Sequence, residues 1–219
     1  MESTVWNRSG GDTMTRGAFY FVLGAILAWG FTFTTLIAKT TAGWTPNIVT
    51  LLLVGLGIPI VGIFMSAKSD NPLISFVGFN LVVGGISAII GPLLAMYTKL
   101  HPGLVERAAT MTGLVTIVMA ITGLLFPNFY RSIGGALFGA LLALVVVSFA
   151  RIFIPAIQGV GIIDYISAGI FSLYIGYDMY RASEIPATLD NAVDVAVSLY
   201  LDIINLFLDL LRIMSEADD

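Results

Sequence analysis

The sequence predicts an all-α integral membrane protein, and two observations carry that prediction. Of the 219 residues, 58% are hydrophobic and only 11% are charged, whereas a typical soluble domain is about 25% charged. The chain also contains seven apolar stretches, each long enough to cross roughly 30 Å of hydrocarbon as a helix rising about 1.5 Å per residue. A chain with so little polar surface is expected to be solvated mainly by lipid.

The seven stretches are separated by short joints rich in glycine, proline, asparagine and lysine, which are typical loop residues. Short joints make neighbouring helices antiparallel, and open strands cannot satisfy their backbone hydrogen bonds at membrane depth. We therefore expect one transmembrane domain over residues 1–219, with a polar N-terminal tail that lacks the features of a cleaved signal peptide. The predicted tail covers residues 1–16, and the predicted helices cover residues 17–38, 46–67, 73–97, 104–126, 132–153, 159–179 and 192–214.

Glycine and proline are frequent inside the predicted helices. Most of the 23 glycines lie there, and small residues allow the backbones of membrane helices to approach closely. Pro59 and Pro92 also lie inside predicted helices, and each removes a backbone hydrogen bond. We expect a kink in the second helix and another in the third.

The composition excludes several classes of function. The net charge is −4 and no basic run is present, so the electrostatic signature of a nucleic-acid-binding protein is missing. The absence of cysteine removes disulfides, thiolate metal sites and cysteine nucleophiles. His101, the single histidine, lies in a Pro-Gly loop, so neither a Ser-His-Asp triad nor a histidine metal site can form. We expect no nucleic-acid partner, no cofactor and no enzymatic activity.

The orientation in the membrane is only weakly encoded. Lys and Arg residues divide equally between the two sides, so the positive-inside rule gives no majority. Arg8 and Arg16 on the N-terminal tail favour a cytoplasmic N-terminus, and seven crossings then place the C-terminus outside. For a bacterial multi-pass protein the membrane would be the plasma membrane.

The last predicted helix differs from the other six because its polar residues follow a helical period. They recur in steps of three or four, which places them on one face. A carboxylate at mid-membrane costs about 2.5 to 3.5 kcal/mol, so we expect Asp202 to face protein or water and the last helix to be central. The polar face consists of Asp194, Ser198, Asp202, Asn205, Asp209 and Arg212.

A second carboxylate, Asp178, lies in the sixth predicted helix, with Tyr174 one turn before it in position to hydrogen-bond beside it. Asp178 and Asp202 match in depth only if residues 179–182 continue the sixth helix, or if residues 190 and 191 remain outside the seventh. Two like charges in a low-dielectric core cannot both stay ionised at low cost, so a pair that meets is expected to share a proton and to sense pH. The expected supporting polar residues are Tyr174, Ser198, Asn205 and Asp209.

The same pair, once deprotonated, offers hard oxygen ligands to a divalent cation such as Ca²⁺. Two carboxylates are too few ligands for tight binding, and weak binding suits a conduction path. The alternative is purely structural: Asp178 and Asp202 each cap a helix end or pair with Lys68, Arg107 or Arg151.

At these residues the chain resembles the transmembrane Bax inhibitor motif family, the Bax inhibitor-like membrane proteins that include bacterial calcium-leak members. The matching segments lie near the C-terminal end, at residues 171–178 (FSLYIGYD), 196–207 (AVSLYLDIINLF) and 210–212 (LLR). The resemblance implies seven transmembrane helices, with two three-helix layers around a central C-terminal helix. It also implies a passive, pH-regulated Ca²⁺ leak, with Asp178 and Asp202 as the paired aspartates whose shared proton controls opening.

One position departs from the family. Bacterial relatives tend to close the second helix with an arginine that serves the aspartates as counter-ion, whereas residues 64–68 read FMSAK in this chain. Lysine is a point charge that can lose its proton when buried, so the departure implies a weaker latch on the closed state. The candidate counter-ions are Lys68, Arg107 and Arg151.

Two functions from other classes remain as alternatives. The aspartates on the last two helices are similar in layout to the catalytic pair of intramembrane aspartyl proteases, in which a shared proton helps to activate water. However, the Gly-x-Gly-Asp expected at the second aspartate reads LYLD over residues 199–202, and no Pro-Ala-Leu follows. The other alternative is a non-conducting regulatory or scaffold protein that acts through partner helices.

Overall fold

The computed structural model describes residues 12–153 and 161–218, with the backbone alone at residues 149 and 151–153. These residues form seven helices, which confirms the predicted all-α class. No strand occurs in the described ranges, where one isolated antiparallel bridge joins Thr13 to Thr188. The helices are α1 (Arg16–Thr41), α2 (Ile48–Lys68), α3 (Pro72–Leu100), α4 (Leu104–Leu125), α5 (Pro127–Phe153), α6 (Ile162–Glu184) and α7 (Leu189–Asp218).

Five of these helices, α1 to α5, are long and apolar enough to cross a membrane by their length and composition. The other two carry more charge: Asp164, Asp178 and Arg181 lie in α6, and the polar face lies in α7. Helices with such charges cross a bilayer only where protein or water covers the charged groups. The count of seven crossings and the two-layer arrangement therefore stay predictions.

Several helix ends differ from the prediction. Residues 127–131, predicted as a joint, form the start of α5, which begins at Pro127. Proline is favoured in a first turn because its missing N–H would have no partner there in any case. α6 continues to Glu184, past the predicted end at residue 179. Its predicted start at residue 159 lies outside the described residues.

α7 begins earlier than predicted, at Leu189 instead of residue 192. Thr188 caps this end, because its Oγ1 accepts a hydrogen bond from the N–H of Asn191 at 3.1 Å. Of the two conditions for a match in depth, the continuation of the sixth helix through residues 179–182 is met. The other is not, since Asp190 and Asn191 lie inside α7.

α2 is irregular just before Pro59. The segment Leu53–Gly57 forms a π-helical turn, in which the N–H of Ile58 donates to the carbonyl of Leu53. Proline offers no N–H to the carbonyl four residues earlier, and one wider turn takes up this mismatch. The expected disturbance of α2 therefore takes the form of a π-helical turn, whereas α3 continues as helix through Pro92.

The chain divides into two compact units, which share α7 between them. The first unit holds α1, α2, α3 and the segment Glu184–Tyr200, and the second holds α4, α5, α6 and α7 from Leu201 onward. α7 is buried along most of its length from Asp190 to Leu211. Asp202 is only 8% exposed, as expected for a carboxylate that cannot face lipid.

In the first unit, α2 and α3 touch at a pair of glycines. A Cβ on Gly62 would overlap the carbonyl oxygen of Gly78, and a Cβ on Gly78 would lie 2.5 Å from the carbonyl oxygen of Gly62. Backbone atoms cannot move aside as side chains can, so this close approach requires glycine on both helices. The contact accounts for two of the many glycines in the apolar stretches.

We expect Gly78→Ala to lower the stability of the folded protein by roughly 1 to 3 kcal/mol, the usual cost of overpacking. Gly84→Ala is the matched control on the same helix, because its new Cβ would meet only a methyl group of Ile37 at 3.9 Å. Thermal unfolding of both variants in detergent measures the difference. Equal melting temperatures for the two variants would contradict the contact between α2 and α3.

Candidate functional site

In the second unit, the structure brings Asp178 of α6 and Asp202 of α7 together. The two carboxyl groups lie within hydrogen-bonding reach of each other, and Asp178 and Asp202 are only 9% and 8% exposed. Two carboxylates have no hydrogen to donate, so a hydrogen bond between them requires a proton on one of the two groups. The arrangement is one in which a carboxyl pair can hold one proton between its members.

One oxygen of this pair accepts no hydrogen bond from an N–H or hydroxyl group. It is Oδ2 of Asp202, which is buried and finds no such donor in the part of the chain that the structure describes. Buried oxygens in this situation are uncommon, and each calls for an explanation such as a functional role. This oxygen is able to carry the proton of the pair.

Tyr174 lies close enough to interact electrostatically with both aspartates. Its hydroxyl makes no hydrogen bond within the described residues, so the expected bond beside Asp178 is not present. The ring instead packs edge-on against Tyr177, with the ring centroids 6.3 Å apart. Tyr174 thus lines the surroundings of the pair without anchoring either carboxyl group.

Asp178 is positioned by a tight contact between α6 and the two preceding helices. A Cβ on Gly176 would overlap the ring of Tyr130 in α5, and a Cβ on Gly123 of α4 would overlap the carbonyl of Gly176. Tyr130 is 2% exposed. Its hydroxyl bonds to Oγ1 of Thr122 at 2.8 Å. The backbone two residues before Asp178 is therefore fixed by packing on two sides.

The same stretch of α6 makes two further contacts with α5. The ring of Tyr177 lies against Gly134, where a Cβ would come within 2.8 Å of it. Nε of Arg131 donates to the hydroxyl of Tyr180 at 2.9 Å, and the Arg131 guanidinium lies 5.8 Å from the centre of the Tyr180 ring. Residues on both sides of Asp178 are thus held by α5.

The other predicted supporting residues fall in different places. Ser198 is half-buried and lies in the first unit. Asn205 bonds to its own helix, because its Nδ2 donates to the carbonyl of Leu201 at 2.7 Å. Asp209 joins Ser167 and Arg212, as described below. Among the described contacts, none of these three residues hydrogen-bonds to the aspartate pair.

The three candidate counter-ions have different surroundings. Lys68 is exposed at the end of α2, in the first unit, with Nζ 5.7 Å from the centre of the Phe64 ring. Arg107 pairs with Asp218 near the end of α7, so it is not placed as a partner of the aspartates. Arg107 lies at the start of α4 and is exposed, so it can reach the acidic C-terminal end of α7 more easily than it can reach two buried carboxyl groups. The side chain of Arg151 lies outside the described residues.

A cation that the sequence reasoning did not assign to the pair lies close to Asp178. Arg181 is one turn further along α6, and its charge acts on Asp178. Its guanidinium lies 5.7 Å from the centre of the Tyr177 ring. Residues three apart on a helix lie on the same side, so the sequence spacing of Asp178 and Arg181 already indicated that their side chains are close.

A second polar cluster lies in the same unit, between the start of α6 and the end of α7. Arg212 donates from Nε to Oδ1 of Asp164 at 2.9 Å and from Nη2 to Oδ1 of Asp209. Ser167 donates from Oγ to Oδ2 of Asp209 at 2.5 Å. Asp164 and Asp209 are each 2% exposed. Asp164 and Ser167 were not predicted, although their three-residue spacing puts both on one face of α6.

The first unit contains buried aspartates that bond to serines. Asp190 accepts from Oγ of Ser75 at 2.6 Å, and Asp194 accepts from Oγ of Ser66. Each of these serines is a single small polar residue within a long apolar stretch. Apart from that polarity, the sequence did not indicate that they bond to aspartates. Oδ1 of each aspartate thus has a serine hydroxyl as hydrogen-bond partner.

The donor set limits what the site can bind. Within the described residues, no group of three or more His, Cys, Asp or Glu side chains is arranged to hold a metal ion. The Asp178 and Asp202 pair alone offers carboxylate oxygens from two side chains, and Ca²⁺ normally takes six to eight oxygen ligands. The pair can attract a divalent cation transiently but supplies too few ligands to retain it.

Comparisons with known proteins show which proteins the chain resembles. The profile described as "Inhibitor of apoptosis-promoting Bax1" matches residues 17–219. The chain is 35% identical over 157 residues to an "Uncharacterized protein" of Helicobacter pylori strain J99, across 71% of this chain and 66% of that protein, just under two thirds of its length. It is 26% identical over 153 residues to an "Uncharacterized membrane protein" of Vibrio cholerae, across 69% and 68% of the two chains. It is 40% identical over 91 residues to a "BI1-like protein" of Arabidopsis thaliana, across 41% and 35%.

Proposed function

Because the chain belongs to the Bax inhibitor family of membrane proteins, we propose that it is a passive Ca²⁺ leak channel gated by the proton that Asp178 and Asp202 share. The observation that carries the proposal is the proximity of these two buried carboxyl groups on α6 and α7. Ionisable residues inside membrane proteins generally mark ion or proton pathways. A pair with one proton adds a titratable element to such a pathway.

The two protonation states of the pair differ in how they hold α6 against α7. With one proton present, the hydrogen bond joins the two helices and the pair carries a single negative charge. Without it, two like charges repel each other across a low-dielectric site. Loss of the proton thus weakens the contact between the helices, which favours an open state.

Deprotonation also changes how the pair treats a cation. Two ionised carboxylates attract a divalent cation more strongly than a singly charged pair does, and their oxygens, the buried Oδ2 of Asp202 among them, are the ligand atoms. Because the pair supplies only a few ligand atoms, the ion can leave again, as conduction requires. Both effects act in the same direction, so we propose that the leak rises with pH.

The proposal assigns the remaining roles as follows. Ca²⁺ is the transported ion and protons are the regulators, while the lipid bilayer is the surrounding partner. No cofactor and no catalytic step are needed, because a leak runs down an existing gradient. We propose a multi-pass protein of the plasma membrane with a cytoplasmic N-terminus.

Ca²⁺ flux across liposome membranes tests the proposal. Purified full-length protein is reconstituted, Ca²⁺ entry is followed with an enclosed dye over a pH series, and protein-free liposomes provide the baseline. We expect a flux above the baseline that increases as pH rises through the titration of the pair. Flux equal to the baseline at every pH would reject a leak channel and leave a regulatory or scaffold protein.

A further inference from the structure

The cluster of Asp164, Ser167, Asp209 and Arg212 has no role in the proton-sharing pair. Within it, one guanidinium is held by two carboxylates, one from each helix. Ser167 satisfies the second oxygen of Asp209 with a neutral hydroxyl. The cluster therefore contains two carboxyl groups and one guanidinium, on side chains that meet between α6 and α7.

Burial within the cluster is unequal. The side chains of Asp164 and Asp209 are each 3% exposed, whereas that of Arg212 is 38% exposed. The arginine thus lies on the outer side of the carboxylates and covers them. A cation that approaches these carboxylates from that side meets the positive charge of Arg212 first.

The cluster follows the aspartate pair along one face of α7. Asp209 comes seven residues after Asp202 on the same face, which is two turns or about 10.5 Å. α6 supplies the partners at both levels, Asp178 at one and Asp164 with Ser167 at the other. The next carboxylate after Asp202 on this face of α7 is thus Asp209, which lies beside Arg212.

From this arrangement we infer that Arg212 is a tethered positive charge that restricts cation passage between α6 and α7, as a second barrier beyond the aspartate pair. The inference rests on the proposed leak function and adds a residue that sets its rate and selectivity. Fixed positive charges are a general means of excluding cations from membrane pores. Here the guanidinium occupies the place between two carboxylates that a mobile cation would otherwise take.

A purely structural role for Arg212 predicts a different result from a barrier role. The two roles can be distinguished by substitutions that remove charges of opposite sign. If the ion pairs only tie α6 to α7, removing either partner loosens the same tie, so Arg212→Gln and Asp164→Asn should change the leak in the same direction. If Arg212 is a barrier, its removal leaves two carboxylates and removes the repulsion. Loss of Asp164 instead leaves the positive charge less balanced and strengthens the repulsion.

The experiment compares these variants in liposomes, with Ca²⁺ and chloride fluxes measured separately at an intermediate pH, where wild-type Ca²⁺ flux is clearly above the baseline and well below its maximum. We expect Arg212→Gln to raise Ca²⁺ flux about tenfold, equivalent to about 1.4 kcal/mol, and to lower the ratio of chloride to Ca²⁺ flux. We expect Asp164→Asn to lower Ca²⁺ flux. Arg107→Gln is the matched control, because it removes the same charge from an exposed pair near the end of α7 and should leave both fluxes at wild-type values.

Several outcomes would overturn the inference. A folded Arg212→Gln protein with wild-type flux would do so, as would equal increases in Arg212→Gln and Arg107→Gln. If Arg212→Gln does not fold, Asp164→Asn decides alone, and an unchanged or higher Ca²⁺ flux in that variant rejects the barrier. A wild type without any flux rejects the leak function and the barrier together, whereas a leaking wild type with unresponsive variants rejects the barrier only.

Discussion

Replacing Asp178 or Asp202 with asparagine is expected to abolish the pH dependence of the leak and to hold Ca²⁺ flux near its low-pH value. Asparagine cannot ionise in this range, and its Nδ2 can donate to the remaining carboxylate as the protonated aspartate does. The helices then stay joined at every pH. At high pH we expect each variant to conduct at least about tenfold less than the wild type, which corresponds to about 1.4 kcal/mol of gating free energy.

The matched control for this experiment is Asp70→Asn, the same chemical change at an exposed position between α2 and α3. Its flux should follow the wild-type pH profile. Ca²⁺ entry into liposomes is measured over the same pH series for all four proteins. A wild-type pH profile in both Asp178→Asn and Asp202→Asn would show that another group senses pH.

Removal of the Tyr130 ring is expected to destabilise the second unit and to disturb the pH response together. The ring is almost fully buried against Gly176, so Tyr130→Ala leaves a cavity beside the stretch of α6 that carries Asp178. Deletion of a buried aromatic ring costs roughly 3 to 5 kcal/mol. We also expect the leak to vary less steeply with pH, because α6 is no longer held in one position relative to α7.

Tyr130→Phe separates the contribution of the ring from that of its hydroxyl. Phenylalanine keeps the ring atoms that lie against Gly176 and loses the hydroxyl, with its contact to Gly176 and its hydrogen bond to Thr122. Loss of the hydrogen bond is worth about 1 kcal/mol. Thermal unfolding in detergent and the flux pH series are measured on both variants. Equal losses of stability in Tyr130→Ala and Tyr130→Phe would mean that packing against Gly176 does not position Asp178.

Much of the fold was predictable because lipid imposes simple rules on a chain. The apolar stretches located all seven helices, although the ends of α5, α6 and α7 differed from prediction by several residues. Those ends depend on local chemistry that hydropathy does not report. Pro127 starts α5, and the hydroxyl of Thr188 starts α7.

The polar face of α7 was also predictable, since a helix repeats every 3.6 residues and buried carboxylates need partners. The identity of those partners was not. Asp209 bonds to Ser167 of α6 and Asp194 bonds to Ser66 of α2. The same-helix neighbours, Arg212 for Asp209 and Arg181 for Asp178, follow instead from a spacing of three residues. Each partner on another helix depends on how that helix is rotated and how deep it lies, and neither property follows from composition.

The sequence by itself determined that this protein is helical, that it is solvated by lipid and that its acidic side chains in the last two helices must be hidden. The reason is that hydrocarbon cannot hydrogen-bond to a peptide group or solvate a charge. Only the tertiary structure decided which hidden groups meet. The contact between Gly176 and Tyr130 and the ion pair between Arg212 and Asp164 each join two helices, and the residues involved are too far apart in the sequence for a local pattern to report them.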